Sequence, residues 1–283
     1  MKIETKPGDV VRLEGLDLPV GAQFYYIQNG NVKLRVMYAA AGRAEARGSV
    51  IFQPGRTEFI EKYFETIDDL TRRGFSVLIL DPRGQGLSSR LLADPMKSYV
   101  GDFEDYCDDL AFITTAFKSE LPRPHILMGH SMGGTIGLQT VLTGRLNPAA
   151  CVFTAPMLEF QDLDTSLNLI VRGLSWLGFK ERNLPFQAQR SGLPVPFRTN
   201  KLTSDPNRYQ LWATYFENHK RLRVGAPTFG WISAALKSMK FVNDNAKHLN
   251  IPTLIVSCGA DPIVTPKSNH AFADASNADI FNV

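Results

Sequence analysis

The chain has 283 residues, 44% of them hydrophobic, which suffices for one large α/β domain with an insertion. Its 31 basic and 28 acidic residues nearly balance without any dense Lys/Arg cluster, so we expect no nucleic-acid partner. Cys107, Cys151 and Cys258 are widely spaced and form no C-x-x-C pair, which argues against a disulfide framework or a zinc site and favours a reducing compartment.

The N-terminus, MKIETKPGDVVRLEG, has no apolar run behind its early lysine. No window of the chain approaches the roughly 18 uninterrupted apolar residues that a membrane-spanning helix needs. The pattern therefore predicts neither a secretory signal nor a transmembrane helix, and any membrane contact is expected to be peripheral.

The first strong pattern in chain order is a hairpin. Residues 22–28 and 32–39 flank an Asn-Gly-Asn turn, and the second run alternates apolar Val32, Leu34 and Val36 with Lys33 and Arg35. This alternation around a turn predicts two antiparallel strands at the start or edge of a sheet.

After the hairpin, short apolar runs alternate with helical stretches. Continuous apolar strands separated by helices are typical of a mostly parallel sheet with helices on both faces, buried on both sides. The predicted strands are 49–53, 75–81, 125–129, 151–155, 252–257 and 279–283.

This rhythm stops between residue 156 and about residue 245. Apolar residues there recur at helical spacing before a proline-interrupted loop, which predicts a helical cap inserted over the sheet. We therefore divide the chain into the first half of an α/β core (1–155), the cap (156–245) and an incomplete C-terminal part of the core (246–283). The helical set is Leu167, Ile170, Val171, Leu174 and Leu177, and the prolines are Pro185, Pro194 and Pro196.

The sharpest motif is HILMGHSMGG, residues 125–134. It contains G-x-S-x-G directly between a predicted strand and a predicted small-residue helix. A strand that turns abruptly into a helix strains the residue at the bend, and the flanking glycines remove Cβ atoms that would clash. We identify Ser131 as the candidate nucleophile, beside a helix N-terminus that favours a developing negative charge.

Residues 49–283 resemble an α/β-hydrolase of the monoacylglycerol lipase and bacterial inner-membrane lysophospholipase group. The resemblance implies the α/β-hydrolase fold and a serine ester hydrolase without cofactor or metal ion. It is carried by QPGRTEFIEKY (53–63), LILDPRGQGLSSR (78–90), MGHSMGG (128–134), NKLTSDPNRY (200–209), GAPTFGW (225–231) and GADPIV (259–264).

The resemblance also implies an oxyanion hole and a catalytic acid. In the family, one donor is a backbone N–H from the loop after the third strand and the other follows the nucleophile, which here are Arg56 and Met132. Related lipases often have His-Gly where this chain has Pro54-Gly55, so this loop fits the bacterial subgroup better. The family's acid loop falls on Asp261, which would orient the imidazole.

The histidine base is the missing part of this pattern. Only 22 residues follow Asp261, whereas the family's histidine lies about 30 residues past the acid, after the next strand. His270 lies in the predicted helix between the last two strands, and it stays open as a substitute base. We expect instead that the natural end of the chain is absent, with its histidine loop and a final helix, and that the 283-residue chain hydrolyses esters very slowly or not at all.

Two other features have a structural alternative. The G-x-G of DPRGQGLSS is a weak nucleotide motif without a third glycine, so we interpret it as a loop that shapes the pocket. His130 precedes the nucleophile and is interpreted as a packing residue. His125, His219 and His248 are placed in a buried strand, the insertion and its exit.

The predicted substrate is a small lipid ester such as a lysophospholipid or monoacylglycerol. Two alternatives stay open: an aminopeptidase of the same fold, whose acidic residues would be Glu159, Asp162 and Asp164, and a catalytically silent lipid-binding protein. Apolar cap residues either cover an acyl chain or pack the cap's own core, and basic residues either face lipid phosphates or solvent. The apolar set is Leu174, Trp176, Leu177, Phe179, Phe216, Phe229 and Trp231, and the basic set is Lys180, Arg182, Arg190 and Arg198.

The expected localisation is cytoplasmic. Peripheral contact with the inner face of the cytoplasmic membrane is compatible with this expectation. The sequence pattern makes no prediction of oligomeric state.

Overall fold

A computed structural model of the chain describes residues 5–13, 15–161, 171, 173–184 and 192–283. In these residues, nine strands form one mixed sheet in the order β1-β2-β3-β5-β4-β6-β7-β8-β9. The strands are β1 (Thr5–Pro7), β2 (Gln23–Asn29), β3 (Val32–Ala39), β4 (Gly48–Gln53), β5 (Phe75–Leu80), β6 (His125–His130), β7 (Ala150–Thr154), β8 (Thr253–Ser257) and β9 (Asp279–Asn282).

The sheet is antiparallel at its N-terminal side and parallel elsewhere. Strands β2 and β3 form the predicted hairpin, with Tyr26 opposite Arg35, and β3 runs antiparallel to β5. From β5 through β4 and β6 to β9, every neighbouring pair is parallel. The sequence analysis missed β1, which has only three residues, all exposed, and therefore no alternation of burial to detect.

Six longer helices accompany the sheet. They are α1 (Phe64–Arg72), α2 (Glu104–Ala116), α3 (Met132–Leu142), α4 (Pro206–Asn218), α5 (Phe229–Asp244) and α6 (Pro266–Ala275). Short helical turns occupy Ile60–Tyr63, Ser175–Phe179, Phe197–Thr199, Lys220–Leu222 and Ala246–His248. Among the described helices, α5 is the longest with 16 residues, and none is both long and apolar enough to span a membrane.

The helices divide between the two faces of the sheet. Side chains of α2, α3 and α5, including Leu110, Ile136 and Ala235, join one large buried cluster with Leu127 of β6. On the other face, α1 packs Phe64 and Ile67 of a second cluster against β4 and β5. Because β4, β6, β7 and β8 are parallel neighbours, their carboxyl ends lie along one edge of the sheet, and the candidate site lies at this edge.

Part of the second face is not covered. Val152 of β7 lies beside Leu254 of β8, which is 36% exposed, and Val256 lies beside Phe281 of β9, which is 58% exposed. The expectation that the parallel sheet is buried on both faces is wrong here, because the helix described on this face, α1, packs against β4 and β5 and leaves Leu254 and Phe281 exposed. We call this exposed surface of β8 and β9 the bare sheet face.

The region predicted as a cap contributes to more than one cluster. Tyr215 and Phe216 of α4 pack on Phe59, whereas Trp231 of α5 packs in the main core against Phe103. The range 156–245 thus includes a helix of the core, and the three-part division of the chain stays a prediction. Of the predicted helical set and loop, Leu167, Ile170 and Pro185 lie outside the described residues.

Candidate active site

Ser131 lies at the bend between β6 and α3. Its backbone has φ 51° and ψ −117°, a conformation that non-glycine residues rarely adopt. A Cβ at Gly129 would lie 2.5 Å from the carbonyl oxygen of Gly133, and one at Gly134 would lie 2.6 Å from Pro156 Cβ. A Cβ at Gly133 would overlap the carbonyl oxygen of Gln53. The bend therefore requires all three glycines of the motif.

The backbone around Ser131 is fully engaged, whereas its hydroxyl is not. The Ser131 N–H donates to the Thr154 carbonyl at 2.9 Å, and the Ser131 carbonyl accepts from Gly134 and Met157 at 2.9 and 3.0 Å. The residue is partly exposed, and its hydroxyl makes no hydrogen bond within the described part of the chain. A fixed backbone thus presents an unbonded hydroxyl at the carboxyl edge of the sheet.

The loop after β4 packs against the first turn of α3. An added Cβ on Gly133 would also lie 2.7 Å from the Pro54 carbonyl oxygen, and one on Gly55 would lie 3.1 Å from that of His130. This packing places Arg56 and Met132 on the two segments that meet at the bend. In the described residues neither backbone amide donates a hydrogen bond to another group of the chain. Their role as oxyanion donors stays a prediction.

Glu58 holds this loop in place, and the sequence analysis missed it. Its carboxylate accepts a hydrogen bond from Gly55 N at 2.6 Å and bonds from Lys62 and Tyr63. Burial raises the pKa of Glu58, but the Lys62 charge, His130 and the hydrogen bonds outweigh it and lower the pKa to about 2. The Gly-x-x-Glu spacing, which lets a carboxylate reach back to an amide three residues earlier, was the available signal.

A buried ionic cluster lies beneath the same loop. Arg35 is fully buried and pairs with Glu61 and, at 3.0 Å, with Asp81. Asp81 also accepts from Ile60 N at 2.9 Å and from Leu87 N at 2.7 Å. The loop that begins with DPRGQG is therefore built around Asp81 and supports the loop after β4, in keeping with its structural interpretation.

Asp261 lies on the loop after β8. Its Oδ1 accepts hydrogen bonds from Ile263 N at 2.8 Å and Val264 N at 3.0 Å, and the residue is partly exposed. Because β6, β7 and β8 are parallel neighbours, Asp261 and Ser131 lie at the same edge, with one strand between theirs. Strand spacing separates the ends of β6 and β8 by about 10 Å, a gap that an imidazole between the side chains would have to bridge.

No histidine bridges this gap. All five histidines are among the described residues, and none hydrogen-bonds to Ser131 or Asp261. His270 lies on α6, the helix predicted between the last two strands, and is partly exposed. The other three outside the bend are His125, bonded to Leu121 O, His219, bonded to Arg12 O, and His248, in the turn Ala246–His248.

His130 has structural contacts instead of catalytic ones. Its Nδ1 is 2.8 Å from Thr154 Oγ1, and its Nε2 is 3.9 Å from Glu58 Oε1. These contacts tie β6 to β7 and to the loop after β4. They agree with the interpretation of His130 as a packing residue.

The apolar and basic residues of the predicted cap fall into two groups. Phe216, Phe229 and Trp231 are buried, so these three pack a core. Trp176 and Leu177 are 87% and 63% exposed. Also exposed are Phe179, Lys180, Arg182 and Arg198, and Leu174 is half-buried, whereas Arg190 lies outside the described residues.

Of the three acidic residues predicted for an amine site, one is among the described residues. Glu159 is exposed, and Asp162 and Asp164 lie outside the described residues. Within the described ranges, no three His, Cys, Asp or Glu side chains are grouped so that they could hold a metal ion.

The chain is similar to known proteins in sequence and in fold. Residues 44–282 match the family described as serine aminopeptidase, S33. The chain is 33% identical over 236 residues to lysophospholipase L2 of Escherichia coli K12, covering 81% of this chain and 68% of that protein. It is 27% identical over 261 residues to the probable lysophospholipase L2 of Haemophilus influenzae, covering 89% and 80%.

Solved structures show the same fold at low identity. A monoglyceride lipase of Saccharomyces cerevisiae superposes with a TM-score of 0.74 at 17% identity, covering 97% of this chain and 90% of the other. A monoacylglycerol lipase of Paleococcus ferrophilus gives 0.71 at 17% identity, with 88% of each chain covered. The predicted α/β-hydrolase fold is confirmed. The chain belongs to the serine aminopeptidase S33 family and is an α/β-hydrolase of the monoglyceride lipase and lysophospholipase L2 group.

Proposed function

We propose that the chain is a carboxylic ester hydrolase that acts on lysophospholipid or monoacylglycerol-like lipids through an acyl-enzyme on Ser131. The observation that carries the proposal is the strained backbone of Ser131 at the carboxyl edge, beside two amides that have no partner in the described residues. The relatives named lysophospholipase L2 support a lipid ester as the substrate.

The geometry suits two-step acyl transfer. Ser131 Oγ attacks the ester carbonyl carbon, and the amides of Arg56 and Met132 stabilise the negative oxygen of the tetrahedral intermediate. A base takes the serine proton and passes it to the leaving alcohol. Water then attacks the acyl-enzyme, returns a proton to Ser131 through the same base and releases the fatty acid. Asp261 would accept the hydrogen bond that orients the base.

We further propose that hydrolysis by the 283-residue polypeptide is impaired. An imidazole base is needed to make the Ser131 hydroxyl a good nucleophile, and no histidine in the described residues is hydrogen-bonded to it. Removing one member of a catalytic triad lowers kcat by up to about a million-fold. The contacts of the five histidines support this proposal, because none of these side chains is bonded to Ser131.

The test is an ester panel with a matched nucleophile variant. Hydrolysis of p-nitrophenyl butyrate, a lysophospholipid and a monoacylglycerol is measured for the wild type and for Ser131→Ala. We expect slow release of fatty acid from the lipid esters that Ser131→Ala abolishes. An equal rate in both proteins would contradict the proposed role of Ser131.

An aminopeptidase is the second candidate, and the description of the matching family favours it. Such an enzyme would hold the substrate amine beside acidic residues, and Glu159 is the exposed acid available for it among the described residues. Amino-acid p-nitroanilides separate the candidates. Their cleavage in the absence of lipid ester hydrolysis would replace the first proposal.

A catalytically silent lipid-binding protein is the third candidate, favoured by the absence of a histidine bonded to Ser131. It would bind one monoacylglycerol or lysophospholipid per chain and release no fatty acid. Equilibrium binding combined with product analysis identifies it, because Ser131→Ala would then change neither measurement.

We also propose a peripheral contact between the cap and a lipid surface. The segment that carries exposed Trp176 and Leu177 continues directly into exposed Lys180 and Arg182. Aromatic and aliphatic side chains beside cations suit the boundary of an anionic bilayer. We call residues 176–182 the exposed cap segment.

A further inference from the structure

We propose that the guanidinium of Arg56 binds the phosphate of the substrate's head group and thereby makes the site prefer phosphate-bearing lysophospholipids to neutral monoacylglycerols. This inference rests on the proposed function, since it names the substrate class of the same site. It concerns the side chain of Arg56, whereas the oxyanion role concerns only its backbone amide.

The Arg56 guanidinium lies between the loop after β4 and the start of α5. Its Nη2 donates to the Gly225 carbonyl at 2.7 Å, and its central carbon lies 5.3 Å from the centre of the Trp231 ring. Its Nε is buried and has no hydrogen-bond partner. The residue as a whole is partly exposed, so solvent reaches part of it.

Two other arginines with buried guanidinium groups are neutralised by carboxylates. Arg35 pairs with Glu61 and Asp81, and Arg83 pairs with Asp109 at 2.6 Å. Among the described residues, no carboxylate lies within 4.0 Å of Arg56. A buried cation with an unsatisfied N–H is costly, and such exceptions cluster at functional sites.

The surroundings of Arg56 favour an anion that arrives from outside the chain. Burial without a counter-charge lowers the pKa of Arg56 to about 10, so the group stays cationic at neutral pH. The exposed turn that carries Lys180 and Arg182 is joined to the start of α5 by backbone bonds, since Gly230 N donates to Lys180 O at 2.8 Å and Phe229 N donates to Arg182 O at 2.9 Å. The Arg56 guanidinium is therefore a cation beside the start of α5 without a counter-charge among the described residues.

The chemistry of a lysophospholipid fits this arrangement. Its phosphate is separated from the scissile ester by the glycerol unit, and the Arg56 side chain extends from the residue whose amide is proposed to bind the ester oxygen. A guanidinium offers a planar pair of N–H donors that matches two phosphate oxygens. A monoacylglycerol has no anion at that position and would leave the guanidinium without a counter-charge.

The test compares two short-chain ethers that differ in the phosphate and cannot be hydrolysed. They are 1-O-hexyl-glycero-3-phosphoglycerol and 1-O-hexylglycerol, and their dissociation constants are measured by calorimetry on the full chain. We expect the wild type to prefer the phosphate ligand. Arg56→Met should weaken binding of the phosphate ligand by about 10 to 100-fold relative to the neutral one. Arg56→Lys should fall between the two, because it keeps the charge without the planar pair of donors.

Arg90→Met is the matched control. Arg90 is also without a carboxylate partner in the described residues, donates to the Arg221 carbonyl at 2.6 Å and has a buried Nη1 without a partner. The Arg90→Met variant should leave the preference for the phosphate ligand unchanged. Thermal unfolding is measured for each variant to check that it is folded. Inorganic phosphate is expected to bind at least about 10-fold more weakly than the lipid ligand, since it lacks the acyl chain's contacts.

The outcomes separate this inference from the proposed function. A chain that prefers the phosphate ether but hydrolyses no ester contradicts the proposed function alone. A chain that hydrolyses esters but binds both ethers equally overturns the role of Arg56 alone. It would also be overturned if Arg56→Met weakened binding of both ethers equally, or if Arg90→Met weakened binding of the phosphate ether as much as Arg56→Met does. Inorganic phosphate that bound as tightly as the phosphate ether would overturn it as well.

Discussion

The Glu58 carboxylate accepts a hydrogen bond from the backbone N–H of Gly55 at 2.6 Å and so fixes the residue that precedes Arg56. A side chain outside the nucleophile motif thus sets the position of a proposed oxyanion donor. The bond also makes the stability of this loop depend on pH.

Glu58→Gln is expected to destabilise the protein at neutral pH by about 3 kcal/mol, because it removes a carboxylate whose pKa is lowered from 4.5 to about 2. The folded pKa lies below the unfolded one, so this contribution is complete above about pH 4.5 and is lost as the pH falls towards 2. Urea unfolding of wild type and variant at pH 7, 4 and 3 measures the gap, which should narrow on acidification.

Glu65→Gln is the control for this effect, because Glu65 is an exposed carboxylate whose partner, Arg208, is exposed as well. Exposed pairs contribute about 0 to 1 kcal/mol. A gap for Glu58→Gln that stayed constant between pH 7 and pH 3 would show that the carboxylate charge is not what stabilises the loop.

Gly133→Ala is expected to destabilise the fold by about 3 kcal/mol, since its Cβ would overlap the Gln53 carbonyl oxygen and push the loop after β4 off α3. Gly173→Ala is the matched control, because a Cβ there meets nothing within 4 Å. It should be neutral or slightly stabilising, because residue 173 has helical backbone and alanine is the better helix former. Chemical denaturation compares the two, and equal effects would contradict the close packing at the bend.

The 283-residue polypeptide should turn over p-nitrophenyl butyrate very slowly. The physical reason is that Ser131 is bonded to no imidazole in the described residues. His270→Ala tests the substitute base and should leave the slow rate unchanged. Ordinary turnover by the wild type that is lost in His270→Ala would identify His270 as the base.

Trp176→Ser is expected to weaken binding to phosphatidylglycerol vesicles by about 10-fold, because a side chain that is 87% exposed can enter the lipid boundary. Its stability should change by less than about 0.5 kcal/mol. Phe281→Ser removes another exposed aromatic, on the bare sheet face, and should change vesicle binding little. Co-sedimentation measures both, and equal losses would show that the exposed cap segment has no special role.

Much of the fold was predictable because its strands are short apolar runs bounded by helices. The pattern predicted β4 through β9 to within a residue or two, and the hairpin followed from alternation around Asn-Gly-Asn. The same pattern could not reveal the bare sheet face, since Leu254 and Phe281 are apolar whether or not a helix covers them.

The site was predictable where chemistry requires a local motif. Ser131 and its glycines follow from the geometry of one bend, and Arg56, Met132 and Asp261 stay predictions that resemblance to the family suggested. Glu58 was missed because its role depends on a loop folding back on itself. The buried pair of Arg35 with Asp81 joins residues 46 positions apart, which no local pattern marks.

The bare sheet face and the exposed cap segment differ in the charges at their borders. Exposed Asp279 lies opposite Leu254 on the former, whereas Lys180 and Arg182 end the latter. Each cation near an anionic leaflet is attracted by about 1 kcal/mol, and an acid is repelled. If the proposed contact forms, an anionic bilayer would therefore orient the molecule with the cap segment towards the lipid and the sheet face away from it, whereas an uncharged micelle would give no such alignment.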